Sequence, residues 1–107
     1  EVTPQKVEIV RKATRIVEEE LSSTRAFQYL AVLHKDRVTG VKKGKRDFGL
    51  QIEVRCWEST DAKIATPTKL SYDKLTRLGD RITDEVPGVV SVTYNITRKP
   101  PSTIEAI

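Results

Sequence analysis

Two stretches of this 107-residue chain stand out as candidates for binding. The first is Lys42, Lys43, Lys45 and Arg46, a basic cluster punctuated by Gly40 and Gly44 and able to offer several donors to a phosphate. On composition alone it reads as a solvated loop, because Lys and Arg exceed Asp and Glu by only 19 to 15 over the whole chain. The second is Lys99-Pro100-Pro101-Ser102-Thr103-Ile104-Glu105, held extended by two prolines that cannot donate to a ladder and so suited to an edge strand or a binding segment. A catalytic set does not assemble from sequence. His34 has Lys35 and Asp36 beside it but no histidine or cysteine partner, and reads as a surface residue. Cys56 falls on the apolar side of an alternating run and reads as a buried structural thiol. No catalytic residue and no metal ligand set is assigned. Asn95-Ile96-Thr97 fits the glycosylation acceptor pattern, but such triplets arise often by chance.

These residues must be held by a small set of elements. Thr3 and Pro4 predict an N-cap and first helical position, after which Val7, Val10, Thr14, Val17 and Leu21 form a stripe at helical spacing that ends at Ser22-Ser23-Thr24. A strand is expected from Phe27 to Val38, then an exposed loop over Gly40 to Gly44. Leu50, Ile52, Val54 and Cys56 alternate with Gln51, Glu53, Arg55 and Trp57, the clearest strand pattern in the chain. Ser71 caps a second helix with Leu75, Leu78, Ile82 and Val86 as its apolar stripe, and Pro87-Gly88 stops it. Val90, Val92, Tyr94 and Ile96 alternate with Ser91, Thr93 and Asn95 in a third strand before an extended C-terminal tail. The order α-β-β-α-β predicts an α+β sandwich, with helices on one face of a small sheet, as a single domain over residues 1–107.

The longest apolar run is a few residues, far short of the ~20 that span a bilayer. A lone cysteine and the lack of a leader-like segment point to a reducing, cytoplasmic setting. The chain contains no methionine, which reads as a fragment or processed product. Exposed sheet edges, together with Trp57 on the nominally polar face, lead to an expectation of pairing with a second copy.

The α-β-β-α-β order is shared by KH-type RNA-binding modules, which clamp backbone with a GXXG loop. Gly40-Val41-Lys42-Lys43-Gly44 has one residue too many for that loop and joins two strands, leaving a KH-like nucleic-acid or phosphate binder as the alternative reading. The C-terminal half is more specific. Ile82-Thr83-Asp84-Glu85-Val86-Pro87-Gly88-Val89, then Tyr94-Asn95-Ile96-Thr97-Arg98 and Lys99-Pro100-Pro101-Ser102-Thr103-Ile104-Glu105, resembles the end of the glutamine-hydrolysing GMP synthase family, with its R-I-x-x-E-V-x-G helix end and K-P-P-x-T-I-E tail. The likeness runs upstream through Gly40-Val41, Arg46, Arg55, Glu58 and Asp61 to the entry helix at Glu1 to Glu20, and so covers essentially the whole chain. It is a likeness to the C-terminal dimerisation domain alone.

For the complete enzyme, the resemblance implies that ATP adenylylates O2 of xanthosine monophosphate (XMP), that glutamine-derived ammonia attacks C2, and that GMP, AMP and pyrophosphate leave. ATP and Mg would belong to an ATP-pyrophosphatase domain, with no cofactor bound here. The implied partners are a second copy of the chain, that ATP-pyrophosphatase domain and a glutaminase domain or subunit. Of the residues here, the resemblance implies that Lys99 contacts the XMP phosphate, that Thr103, Ile104 and Glu105 approach the nucleotide, and that Gln28 lies near it. Where the family usually carries a phosphate-binding arginine, this chain has the uncharged Ser91. Lys42, Lys43, Arg46 and Arg98 are the cations available to compensate.

Overall fold

The computed structural model describes residues 3–22, 28–34, 38–42, 45–59 and 65–98, with backbone alone at 28, 41, 42, 45–48 and 59. Helix α1 is Pro4–Leu21, and Thr3 accepts the Lys6 backbone N–H on its side-chain oxygen at 3.2 Å, as its place before Pro4 requires. Its buried line is Ala13, Ile16, Val17 and Leu21, with Ile9 half-buried against them. Of the line expected through Val7, Val17 and Leu21 are buried and Val10 and Thr14 half-buried, but Val7 itself is 43% exposed. Two apolar lines share helical spacing in this segment, and burial begins only at Ala13, so the first turns of α1 project past the core.

Every strand pairs with one long strand. β1 (Gln28–Leu33), β2 (Val38–Lys42) and β4 (Ala65–Pro67) run antiparallel to β3 (Lys45–Ser59), while β5 (Val89–Tyr94) runs parallel to it. The helix α2 (Tyr72–Glu85) lies in the crossover that a parallel neighbour needs. Ser71 accepts the Lys74 N–H at 3.1 Å to start that helix. Gly88, at φ 85°, ends the turn after it in the left-handed region, and its carbonyl accepts the Leu50 N–H at 2.8 Å, which starts the parallel ladder. The fold is α+β, with both helices on one face of the sheet. Ile52, Val54 and Cys56 of β3 meet α1 and the buried line Leu78, Ile82 and Val86 of the second helix segment. Arg81 clasps the two helices, donating to Glu85 on its own helix at 2.8 Å and to Glu19 and Glu20 of α1 at 2.9 and 3.0 Å.

Three expectations change. The strand expected over Phe27–Val38 ends at Leu33, and Val38 opens a separate strand. Gly40 and Lys42, expected in a loop, pair with Asp47 and Lys45, whereas Lys43 and Gly44 lie outside the described residues. Third, Trp57 is fully buried within its own chain, so it does not support pairing through an exposed aromatic. The glycines explain the second change. A Cβ at Gly40 would stand 2.5 Å from Cβ of Val90, and one at Gly49 would stand 2.5 Å from Cγ1 of Val90 and 3.1 Å from the Gly88 carbonyl oxygen. Both glycines are sites where a neighbour comes too close for a side chain, not punctuation of a loop.

Overpacking at these positions is expected to cost about 1–3 kcal/mol for either Gly40→Ala or Gly49→Ala in chemical denaturation. Val90→Ala should recover more of that loss at Gly49, where the valine clashes are all with its methyls, than at Gly40, where the Cβ that alanine keeps stands at 2.5 Å beside those methyls. Equal coupling at both sites would contradict this packing.

Candidate functional site

The face of the sheet away from the helices carries the polar half of β3, and its centre is a buried carboxylate. Glu53 is 8% exposed. Side chains two apart on a strand share a face, which sets Arg55 beside it, and its Nε donates to Oε2 of Glu53 at 2.6 Å. His34, just past the end of β1, donates from Nε2 to Oε1 at 2.7 Å, and Asn95, just past the end of β5, donates from Nδ2 to Oε2 at 2.9 Å. Burial would by itself raise the Glu53 pKa, but the hydrogen bonds from Arg55, Asn95 and His34 outweigh it and hold the carboxyl below its ordinary range. Three segments distant in sequence thus converge on one anion.

The network continues to the end of β5. Asn95 accepts the Thr97 N–H on Oδ1 at 2.9 Å, and Nε1 of Trp57 donates to the Thr97 carbonyl at 3.4 Å. The hydroxyl of Tyr94 donates to the Thr68 carbonyl at 2.6 Å on the other side. Burial, with Cys56 and Glu58 nearby, pushes the Tyr94 phenol upward, and burial likewise raises the Cys56 thiol, which is inert and structural.

The residues singled out from sequence separate into three places. Gln28 pairs in register with Trp57, at the end of β3 where Thr97 is held, and Arg98 follows there as an exposed cation beside a groove of about 340 Å³ lined by Lys69, Tyr94 and Ile96. Ser91 pairs with Gln51 and accepts its side-chain N–H at 3.3 Å, roughly 20 Å along β3 from Trp57 at strand spacing. Lys42 and Arg46 belong to the β2–β3 pairing, roughly 40 Å along the strand from its far end. Lys43, Lys99, Thr103, Ile104 and Glu105 lie outside the described residues. Sequence patterns do not single out Glu53, Asn95 or Trp57 as members of a site, and they leave His34 as a plain surface residue. The one local signal is the Glu53–Arg55 pair two apart on a strand. Among the described residues, no cluster of three or more His, Cys, Asp or Glu could hold a metal, and no helix is long and apolar enough to cross a membrane.

Residues 11–106 match the family model of the GMP synthase C-terminal domain. A glutamine-hydrolysing GMP synthase subunit from Archaeoglobus fulgidus is 52% identical over 105 residues, covering 98% of this chain and 34% of that protein. The corresponding subunit from Methanopyrus kandleri is 47% identical over 112 residues, covering 98% of this chain and 36% of its own length. The glutamine-hydrolysing GMP synthase of Aeropyrum pernix is 45% identical over 108 residues, covering 97% of this chain and 21% of that protein. The chain therefore spans about a third or less of the relatives it matches.

Because the folded Glu53 pKa lies below its unfolded value near 4.5, the carboxylate stabilises the fold above that pH, and this contribution is lost as pH falls through the lowered value. Glu53→Gln is expected to be less stable than the parent at pH 7 and to lose less stability between pH 5 and about 3. Urea unfolding at a series of pH values checks this; parallel pH profiles would contradict it.

Proposed function

The chain belongs to the family of GMP synthase C-terminal domains, and we propose on that premise that it is the XMP-binding and dimerising part of an enzyme that converts XMP to GMP. The observation that carries this reading is the 52% identity, over nearly the whole chain, to a protein named as a GMP synthase subunit. The adenylylation and ammonia transfer would be the work of the rest of the enzyme, using ATP, Mg and glutamine. The part of this domain would be to hold XMP and to bring two protomers together in the cytoplasm.

Two features support the assignment of XMP contacts to Gln28, Lys99, Thr103, Ile104 and Glu105. Gln28 is the register partner of Trp57, and the Trp57 indole touches Thr97, two residues before Lys99. Thr97, two residues before the K-P-P motif in sequence, and the backbone of Gln28 therefore share one end of the sheet. Lys99 is suited to the phosphate as a point charge, and Arg98 beside it is the cation best placed in sequence to make up for the absent family arginine. For dimerisation, support comes from the helix-free face, where Leu30 and Val32 of β1 sit opposite Arg55 and Glu53 and keep part of their surface exposed. Apolar side chains there gain burial against a second copy.

In the full-length enzyme, Lys99→Ala is expected to raise KM for XMP roughly ten- to a hundredfold with little change in KM for ATP, matching a lost charge-assisted hydrogen bond of about 1.5–3 kcal/mol. Steady-state kinetics decides, and an unchanged XMP KM would remove Lys99 from the site. Val32→Asp should shift the enzyme from dimer toward monomer in sedimentation, while a dimer that tolerates it pairs elsewhere. A nucleic-acid binder would instead bind single-stranded RNA through the Lys42 to Arg46 end, with an affinity falling steeply with salt.

A further inference from the structure

We infer that the groove between β4, the start of α2 and the end of β5 is a docking surface, and that its occupant is an acidic, aliphatic segment from the catalytic remainder of the same polypeptide. This rests on membership of the GMP synthase family and not on the XMP reading. Val92 and Tyr94 of β5 pair in register with Ile52 and Val54 and pack against the core under the helices. The alternation continues to Ile96, which lies two residues past the last pair of that ladder and is 78% exposed. The apolar row of β5 thus runs on beyond the cover that the helices give it. Half-buried Pro67, Leu70 and Leu75 line the same groove of about 340 Å³. Tyr72, 79% exposed in the first turn of α2, stands between Leu70 and Leu75 in sequence. Of the large apolar side chains left exposed among the described residues, Tyr72 and Ile96 therefore both belong to the elements that form this groove, and only Val7 lies elsewhere.

Charge defines the occupant. Lys69 and Arg98 also line the groove, both are exposed, and among the described residues neither has an ion-pair partner. Arg11, Arg55 and Arg81, by contrast, each meet a carboxylate. The N-terminus of α2, two residues after Lys69, adds partial positive charge. Glu58, the register partner of Thr66, and Asp73, in the first turn of α2, are the acids close by, and neither lines the groove. An aliphatic trough with two unpaired cations complements aliphatic side chains flanked by carboxylates. Length points to the source of that segment. The chain matches only 34% and 36% of the GMP synthase subunits from Archaeoglobus fulgidus and Methanopyrus kandleri, so most of such a polypeptide lies outside this domain. Contacts between domains of one chain have this mixed apolar and charged character.

The experiment uses the full-length enzyme without nucleotide, so the outcome is independent of where XMP binds. Ile96→Cys, read at that residue by peptide mapping, is expected to react with a maleimide roughly tenfold more slowly in the native enzyme than in urea. Equal rates overturn the inference. Adding Lys69→Glu should return most of that reactivity by repelling an acidic occupant, and Lys69→Gln, which only removes the attraction, should return less. Reactivity that ignores both substitutions overturns the acidic assignment. Lys69 is exposed, so neither change disturbs the core, and Arg98 is left in place because the XMP reading gives it another role. Irradiation of the enzyme carrying p-benzoylphenylalanine in place of Ile96 then identifies the occupant. A crosslink to an acidic stretch of the catalytic portion of the same chain supports the inference. A crosslink to the other protomer or anywhere else, or none at all, overturns it.

Discussion

A carboxylate buried in the middle of a sheet must be given donors, and meeting that requirement at Glu53 organises the helix-free side of this domain. The three donors come from the chain just past β1, from β3 itself and from the chain just past β5. One anion therefore ties the ends of both neighbours to the central strand. Leaving any of these groups unpaired would expose a buried charge or amide to desolvation without compensation, so the positions of His34, Arg55 and Asn95 are mutually dependent. The opposite face obeys a different rule. There Ile52, Val54 and Cys56 are covered by two amphipathic helices, and Arg81 fastens those helices to one another through Glu19 and Glu20.

Local chemistry announces some of this and not the rest. Both helix starts are written as a capping residue three positions before the amide it accepts, Thr3 for Lys6 and Ser71 for Lys74, and such short-range hydrogen bonds are visible in a linear sequence. The stop at Pro87-Gly88 is equally local. The phase of α1 is not, because Val7 and Val10 on one line and Ile9 and Ala13 on another both satisfy helical spacing, and only the extent of the sheet beneath decides between them. β2 is hidden for a similar reason. Its Gly40 looks like a loop residue until Val90, fifty positions later, is seen to occupy the space its side chain would need.

The candidate site illustrates the same limit. Alternation along β3 marks Glu53 and Trp57 as outward-facing, and they do face away from the helices, yet both are buried. Their cover includes residues some forty positions away, Asn95 for the carboxylate and Thr97 for the indole, and no local pattern reports such pairings. The motif resemblance succeeds where the pattern does not because it identifies a family rather than a contact. It points to the K-P-P motif and to Gln28, and is silent about Glu53, Asn95 and Trp57.

The two ends of β3 are secured by unlike means, and this bears on how the domain can work. At the β2 end, the Val90 side chain lies so close to Gly40 and Gly49 that neither has room for a Cβ, and displacement there means moving the strand backbones against a packed side chain. At the Trp57 end, Thr97 is exposed and held by two hydrogen bonds whose partners water can replace at modest cost. The β2 end is thus secured by packing and the Trp57 end by polar contacts, two constraints that respond differently to solvent.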